Sequence, residues 1–210
     1  VAGSGGAPRG RRRLASGAAL AALEARFLQQ SGVMIGVVKH LGEEDRTSVV
    51  LDVMTDEAIK TSQIEGELLN VESVRSSIAR RLGVDIGALA PVDRHVEGVV
   101  DMVLDATSRS GGPLTRDRLF GWHAALFPTG HSGLVRIKVG GWRDDATGAM
   151  QVVSGPPGRQ RVHFEAPPAD RLPSETERFI DWANADDSEP LLIKAGLAHL
   201  WFVTLHPFDD

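Results

Sequence analysis

Residues 191–205, LLIKAGLAHLWFVTL, contain one charged side chain, Lys194, and at helical spacing are apolar on nearly every side. A helix of that kind has no polar face to turn to water, so it is expected at the centre of a core, entered at its first turn through Pro190. It is shorter than the ~20 apolar residues a membrane span requires. The rest of the chain must supply its cover. Of 210 residues, 42% are hydrophobic and 24% charged, an ordinary globular balance. A net charge of −5 argues against a nucleic-acid binder. The lack of cysteine removes disulfide, thiolate–zinc and cysteine-nucleophile chemistry. The Gly-rich and then basic opening, residues 1–13, is unlike a secretory leader. A cytoplasmic protein with neither nucleic-acid nor membrane partners is the expectation.

Local signals divide the chain into helices. Residues 1–16 read as a flexible tail whose Arg cluster is solvated. Residues 18–38 read as a buried helix, weakened or ended around Gly32 and Gly36. A second helix is expected over about 48–64, running into Gly66. Asn70 is a suitable N-cap for a helix to Arg81 with Gly83 in the stop position. Residues 92–108 place Val96, Val99, Val100, Val103 and Leu104 inward, and Thr115 caps a helix to about Phe127. Between 128 and 170 Gly and Pro are frequent, and short strands at 135–139 and 150–153 are expected to form a hairpin through Asp144, Asp145, Thr147 and Gly148. Ser174 and Glu177 form a capping-box pattern for a further helix.

Three clusters could carry chemistry. His206, with Asp210 four residues on, could supply a general base beside a metal-binding carboxylate, or could be a polar helix end. His199 and His206 are seven residues apart, which is not the i, i+4 spacing usual for zinc, so His199 reads as a satisfied core histidine. Glu65 sits before Gly66 at a helix C-terminus, where a carboxylate is disfavoured by the dipole; it either finds an Arg partner or is solvated. The region from Gly140 to Gly155 could pair with an extended peptide, or be an ordinary surface hairpin.

Taken together these segments resemble the Fic family. His206-Pro207-Phe208-Asp209-Asp210 matches the first half of its signature, His-x-Phe-x-Asp/Glu. The second half, Gly-Asn-Gly-Arg-x-x-Arg, does not follow, so the sequence is expected to be cut within the signature. Thr61-Ser62-Gln63-Ile64-Glu65-Gly66 matches the family's inhibitory motif, Ser/Thr-x-x-x-Glu-Gly/Asn. Leu119-Phe120-Gly121-Trp122-His123, Gly141-Trp142-Arg143 and the segment from Val162 to Pro168 are similar to the same subgroup.

The resemblance implies a mainly α fold: a Fic-type helical core over 91–210 with a small β-hairpin flap, preceded by an N-terminal helical module over 17–90. It implies transfer of AMP from ATP, with Mg2+, to a Ser, Thr or Tyr hydroxyl on a target protein. His206 would then be the base, Asp210 the magnesium ligand, and Phe208 a structural support at the nucleotide site. Thr61, Glu65 and Gly66 would form the brake, and Gly141, Trp142, Arg143, Val152 and Val153 the flap that docks the target. Fic proteins often self-associate, so a homo-oligomer is compatible with the resemblance. Residues 1–210 alone are expected to bind ATP weakly and transfer little. Removal of AMP or transfer of another phosphate group at the same site, or a non-catalytic antitoxin-like helical module, are the alternatives.

Overall fold

The computed structural model describes residues 17–64, 66–146, 148–156, 158–186 and 189–209, with Ala18 described in its backbone only. The chain divides into two compact units, Val1–Leu41 and Gly42–Asp210. The expected tail, residues 1–16, lies outside the described residues.

The first unit holds one helix, α1 (Gly17–Lys39), which runs unbroken through Gly32 and Gly36. An interior glycine costs a helix only about 1 kcal/mol, and no proline intervenes. The expectation of a buried helix is corrected: Leu23, Phe27, Leu28, Val33, Met34, Ile35 and Val37 are all exposed.

In the second unit α2 (Glu43–Ile64) begins five residues earlier than the apolar pattern suggests. Glu43, Glu44 and Asp45 occupy its first turn, where acidic side chains complement the helix dipole. It buries a single stripe, Leu51, Thr55, Ala58, Ile59 and Ser62. The next helix, α3 (Val71–Leu82), is bounded as its sequence dictates. The Asn70 side chain accepts from the Ser73 N–H at 2.9 Å, and Gly83 takes a left-handed φ of 68° while Val84 N–H closes on the Ala79 carbonyl at 2.9 Å. Asp93 caps α4 (Arg94–Ser108), and Thr115 caps α5 (Arg116–Leu126). Val74, Ile78 and Ala79 of α3 meet Val96, Val99, Val100 and Val103 of α4 and the α2 stripe in one apolar core.

The crossing of α4 and α5 is close. A Cβ at Gly98 would stand 1.8 Å from the Ala125 carbonyl oxygen, so only glycine fits there. A polar tie secures the other end of the same contact. Asp105 accepts from Trp122 Nε1 at 2.9 Å and from Arg118 Nε at 3.1 Å. Burial favours the neutral Asp105 carboxyl, but Trp122, Arg118 and Arg109 outweigh it and hold the group below the usual carboxylate range. This fixes the axial position of α5, and with it His123.

The strands differ from the expected hairpin. The two-residue strands β1 (His131–Ser132) and β2 (Val135–Arg136) pair with each other, while β3 (Gln151–Ser154) pairs antiparallel with β4 (Arg161–Glu165). Residues 144–148 therefore do not close a hairpin between 135–139 and 150–153. The hairpin forms between β3 and β4 instead, and the chain leaves β3 at Gly155 with φ 100°. The five residues of β4 offer β3 a longer partner than the two of β2, and a register shift between Val152 and Val153 bends the ribbon.

A 3-10 turn (Ala169–Arg171) leads into α6 (Leu172–Asn184), which has no side-chain cap. The Ser174–Glu177 capping box is not formed: Ser174 lies inside the helix and its hydroxyl donates to the Arg171 carbonyl. The last helix is α7 (Leu191–Leu205). Leu119, Phe179, Ile180 and Leu205 form a second core with Trp122, Trp201, Phe202 and Phe208 at its margin. The expectation that α7 is enclosed is corrected. Only Leu205 is fully buried, and Leu191, Leu197, Leu200 and Val203 face outward. No helix among the described residues is long and apolar enough to cross a membrane.

Candidate functional site

The end of α7 is the most constrained backbone in the second unit. Pro207 disfavours a helical conformation at the residue before it, and His206 leaves the helix with φ 43° and ψ 64°. It is the one non-glycine residue with positive φ among those described. Such a conformation costs of order 1–3 kcal/mol and persists only where the surroundings over-determine it.

The surroundings do so through the carbonyls of the turn. The His206 carbonyl accepts from Arg143 Nε at 2.7 Å, and the Pro207 carbonyl from the Arg143 backbone N–H at 3.0 Å. The Asp209 carbonyl accepts from His123 at 2.8 Å, and its carboxylate Oδ2 takes the Lys138 N–H at 3.0 Å. One stretch, residues 138–143, thus splints the turn along its length, with His123 of α5 as an intermediate.

The His123 network also fixes its tautomer. The Gly140 N–H donates to Nδ1 at 3.2 Å, so Nδ1 carries no proton, and Nε2 must be the donor to Asp209. His123 is therefore a neutral imidazole, buried, with one edge on the 138–143 segment and the other on the turn. The ring of Phe208 stacks on it at 4.5 Å between centroids and on Trp142 at 5.7 Å, while Phe120 and Phe202 meet Phe208 edge-on. Phe208 is half-buried, a wedge of the turn among four other rings, which suits support of His206 and Asp209.

Arg143 has a buried guanidinium that donates from all three of its nitrogens. Besides the His206 carbonyl it reaches Asp145 Oδ1 at 2.7 Å and the Pro167 carbonyl at 2.6 Å. The other oxygen of Asp145 accepts the Ala169 N–H at 2.7 Å.

The five residues assigned to a target-docking flap therefore separate. Val152 and Val153 lie exposed on β3. Gly141 and Trp142 are half-buried in the splint, and Arg143 is buried with both its N–H and its guanidinium turned to the His206–Asp209 turn.

Sequence reasoning gave His123 and Asp145 no role at the site, naming the first only within a family-like segment and the second only in a hairpin loop. An Arg two residues before an Asp in a loop was a signal for the second; nothing local marks the first.

At the end of α2 the helix closes on Gly66, whose φ is 86°, with the Glu67 N–H donating to the Ser62 carbonyl at 2.9 Å. Thr61 is exposed, and its hydroxyl donates to Glu57 at 3.2 Å. Glu65 and Asp210 lie outside the described residues. Among the described residues no three His, Asp or Glu side chains converge as a metal cluster, and His199 lies on α7.

Comparison with known proteins matches two separate stretches of the chain. Residues 113–210 match the Fic/DOC family, and residues 16–84 match a domain of unknown function, DUF4172. Among solved structures, a Fic family protein from Desulfovibrio desulfuricans is similar over 89% of this chain and 52% of its own, with 25% identity and a TM-score of 0.54. Fic-1 from C. elegans is similar in fold over 91% of this chain and 54% of its own, with 17% identity and a TM-score of 0.54. The chain thus spans about half the length of these structures. No curated protein matches it.

Proposed function

Since the chain is a Fic family protein by its domain over 113–210, we propose that it transfers AMP from ATP to a hydroxyl side chain of a target protein, restrained by Glu65. The observation that carries this reading is His206, set at the end of α7 in a left-handed conformation by captured carbonyls, in a turn whose Phe208 stacks on His123. A side chain used as a base must be presented at a fixed place, and constraint of this kind provides that.

In the reaction the target hydroxyl oxygen attacks the α-phosphorus of ATP. Its proton passes to a ring nitrogen of His206, the bond between the α-phosphorus and the bridging oxygen breaks, and pyrophosphate leaves with the electron pair. Magnesium is bound by one or two carboxylates together with substrate phosphates, so the turn need not form a three-residue cluster to hold it. Two consecutive acids stand there. Asp209 is engaged by Lys138 and His123, and we assign the metal to Asp210, where it would offset charge on the phosphate oxygens. The exposed β3–β4 ribbon has the free edge that an extended target segment could pair with, through Val152 and Val153.

Glu65 follows the last turn of α2, and Gly66 in its left-handed conformation gives the chain the reversal that an inhibitory carboxylate there requires. A carboxylate and the ATP γ-phosphate would compete for the same cationic partner, so one excludes the other.

The test is auto-modification with ATP labelled at the α-phosphate. In protein that carries the whole Fic signature, Glu65→Gly should raise incorporation by about tenfold or more, and His206→Ala in that background should return it to background. Labelling by both variants at the parent level would refute the reading. Loss of AMP from a pre-modified target in the presence of the parent, slowed by Glu65→Gly, would mark the reaction as removal.

A further inference from the structure

Arg143 is the only described side chain that joins the His206 turn to both roots of the β3–β4 ribbon. Its Nε holds the His206 carbonyl, Nη1 holds Asp145 on the chain entering the ribbon, and Nη2 holds the Pro167 carbonyl on the chain leaving it. Asp145 closes the loop by accepting the Ala169 N–H, and the Ala166 N–H donates to Met150 at 2.9 Å. Three segments far apart in sequence, 143–145, 166–169 and 206–207, thus converge on one planar cation.

We propose that Arg143 is a positioning residue for the transfer: it fixes the distance and angle between the ribbon that presents the target segment and the His206 imidazole that takes the hydroxyl proton. This rests on the AMP-transfer reading above for its chemistry, but not for its geometry.

The chemistry of the group suits the task. A guanidinium keeps its charge at all working pH values and offers donors in a rigid fork, so acceptors placed around it are held at set angles to one another. Its charge is also in the right place. The carbonyl end of α7 carries partial negative charge, which the Nε donor meets at His206. Asp145 supplies the counter-charge that allows burial at 1% side-chain exposure. Lysine could satisfy one acceptor from that site but could not span three.

Arg143→Lys and Asp145→Asn, each in the Glu65→Gly protein, test the proposal by two readouts. The first is the labelling rate at varied ATP. Arg143→Lys should lower the maximal rate by about tenfold and shift the half-saturating ATP concentration by less than about twofold, the pattern of a lost transition-state alignment. The second is amide hydrogen exchange. Protection should fall together in 151–165 and 206–209, by about tenfold, while residues 51–103 exchange as in the parent, which marks local release and not global unfolding.

Exchange unchanged at 206–209, or raised equally throughout the chain, would overturn the proposal, as would labelling at the parental rate. If the Glu65→Gly protein carrying the whole signature does not label, the transfer reading fails, and the linkage is decided by exchange alone. If Arg143→Lys does not fold, Asp145→Asn decides: about a threefold fall in labelling with paired loosening of the two segments supports the link, and no change in either overturns it.

Discussion

Helices α4 and α7 are both 15 residues long, and the more apolar of the two is the less buried. In α4 four valines, Val96, Val99, Val100 and Val103, share one buried face against α2 and α3, while Gly98 is buried separately against α5. In α7 apolar residues face every direction, and Leu205 alone is enclosed. Amphipathic patterning names the face that will be covered and so specifies its own packing. Uniform hydrophobicity specifies burial without direction. What organises α7 is polar: the capture of carbonyls just beyond its last turn.

The sharpest way to break the α4 side of this contrast is Gly98→Ala. Its Cβ would lie within bonding range of a backbone oxygen that cannot move alone, and the loss should exceed about 3 kcal/mol, seen as a fall in the urea midpoint. Next comes a matched pair of truncations. Val100→Ala removes fully buried methyl groups and should cost about 2 kcal/mol, while Leu200→Ala on α7, which deletes more atoms from a side chain 60% exposed, should stay within about 0.5 kcal/mol. Equal losses by thermal unfolding would erase the distinction.

An effect smaller than those of Gly98→Ala and Val100→Ala is expected at the polar end of α4. Asp105 is held below the ordinary carboxylate range in the folded chain, against the opposing pull of burial, by Trp122, Arg118 and Arg109. A depressed folded value means that the stabilisation is fully present above the unfolded value of about 4 and fades as pH falls through the lower folded one. Asp105→Asn should therefore cost about 1.5 kcal/mol at pH 7 and lose its deficit against the parent in acid. A deficit that grew in acid would contradict this sign.

What the sequence disclosed and what it hid follow the same line. Asn70, Gly83 and Thr115 act on partners three or four residues away, so the boundaries they set were legible. Single residues also marked the turn at His206-Pro207-Phe208. The splint was not legible, because His123 meets Asp209 across 86 positions and Arg143 meets His206 across 63. No local pattern encodes such a contact. The strand pairing was misjudged for a related reason: β3 had two candidate partners, and Gly155, able to take a positive φ, turned it toward the later one. The exposure of α1 and α7 was equally hidden, since composition reports how much apolar surface a helix has and nothing about what lies beside it.

The left-handed backbone at His206 bears on how that residue should be replaced. Alanine deletes the imidazole, but it also puts a residue with poor tolerance of positive φ at the junction, so the whole bend can relax and an inactive variant would report two changes at once. Asparagine tolerates that region of φ and ψ and has no group able to accept a proton near neutrality. Comparing His206→Asn with His206→Ala therefore separates the contribution of the ring from that of the bend.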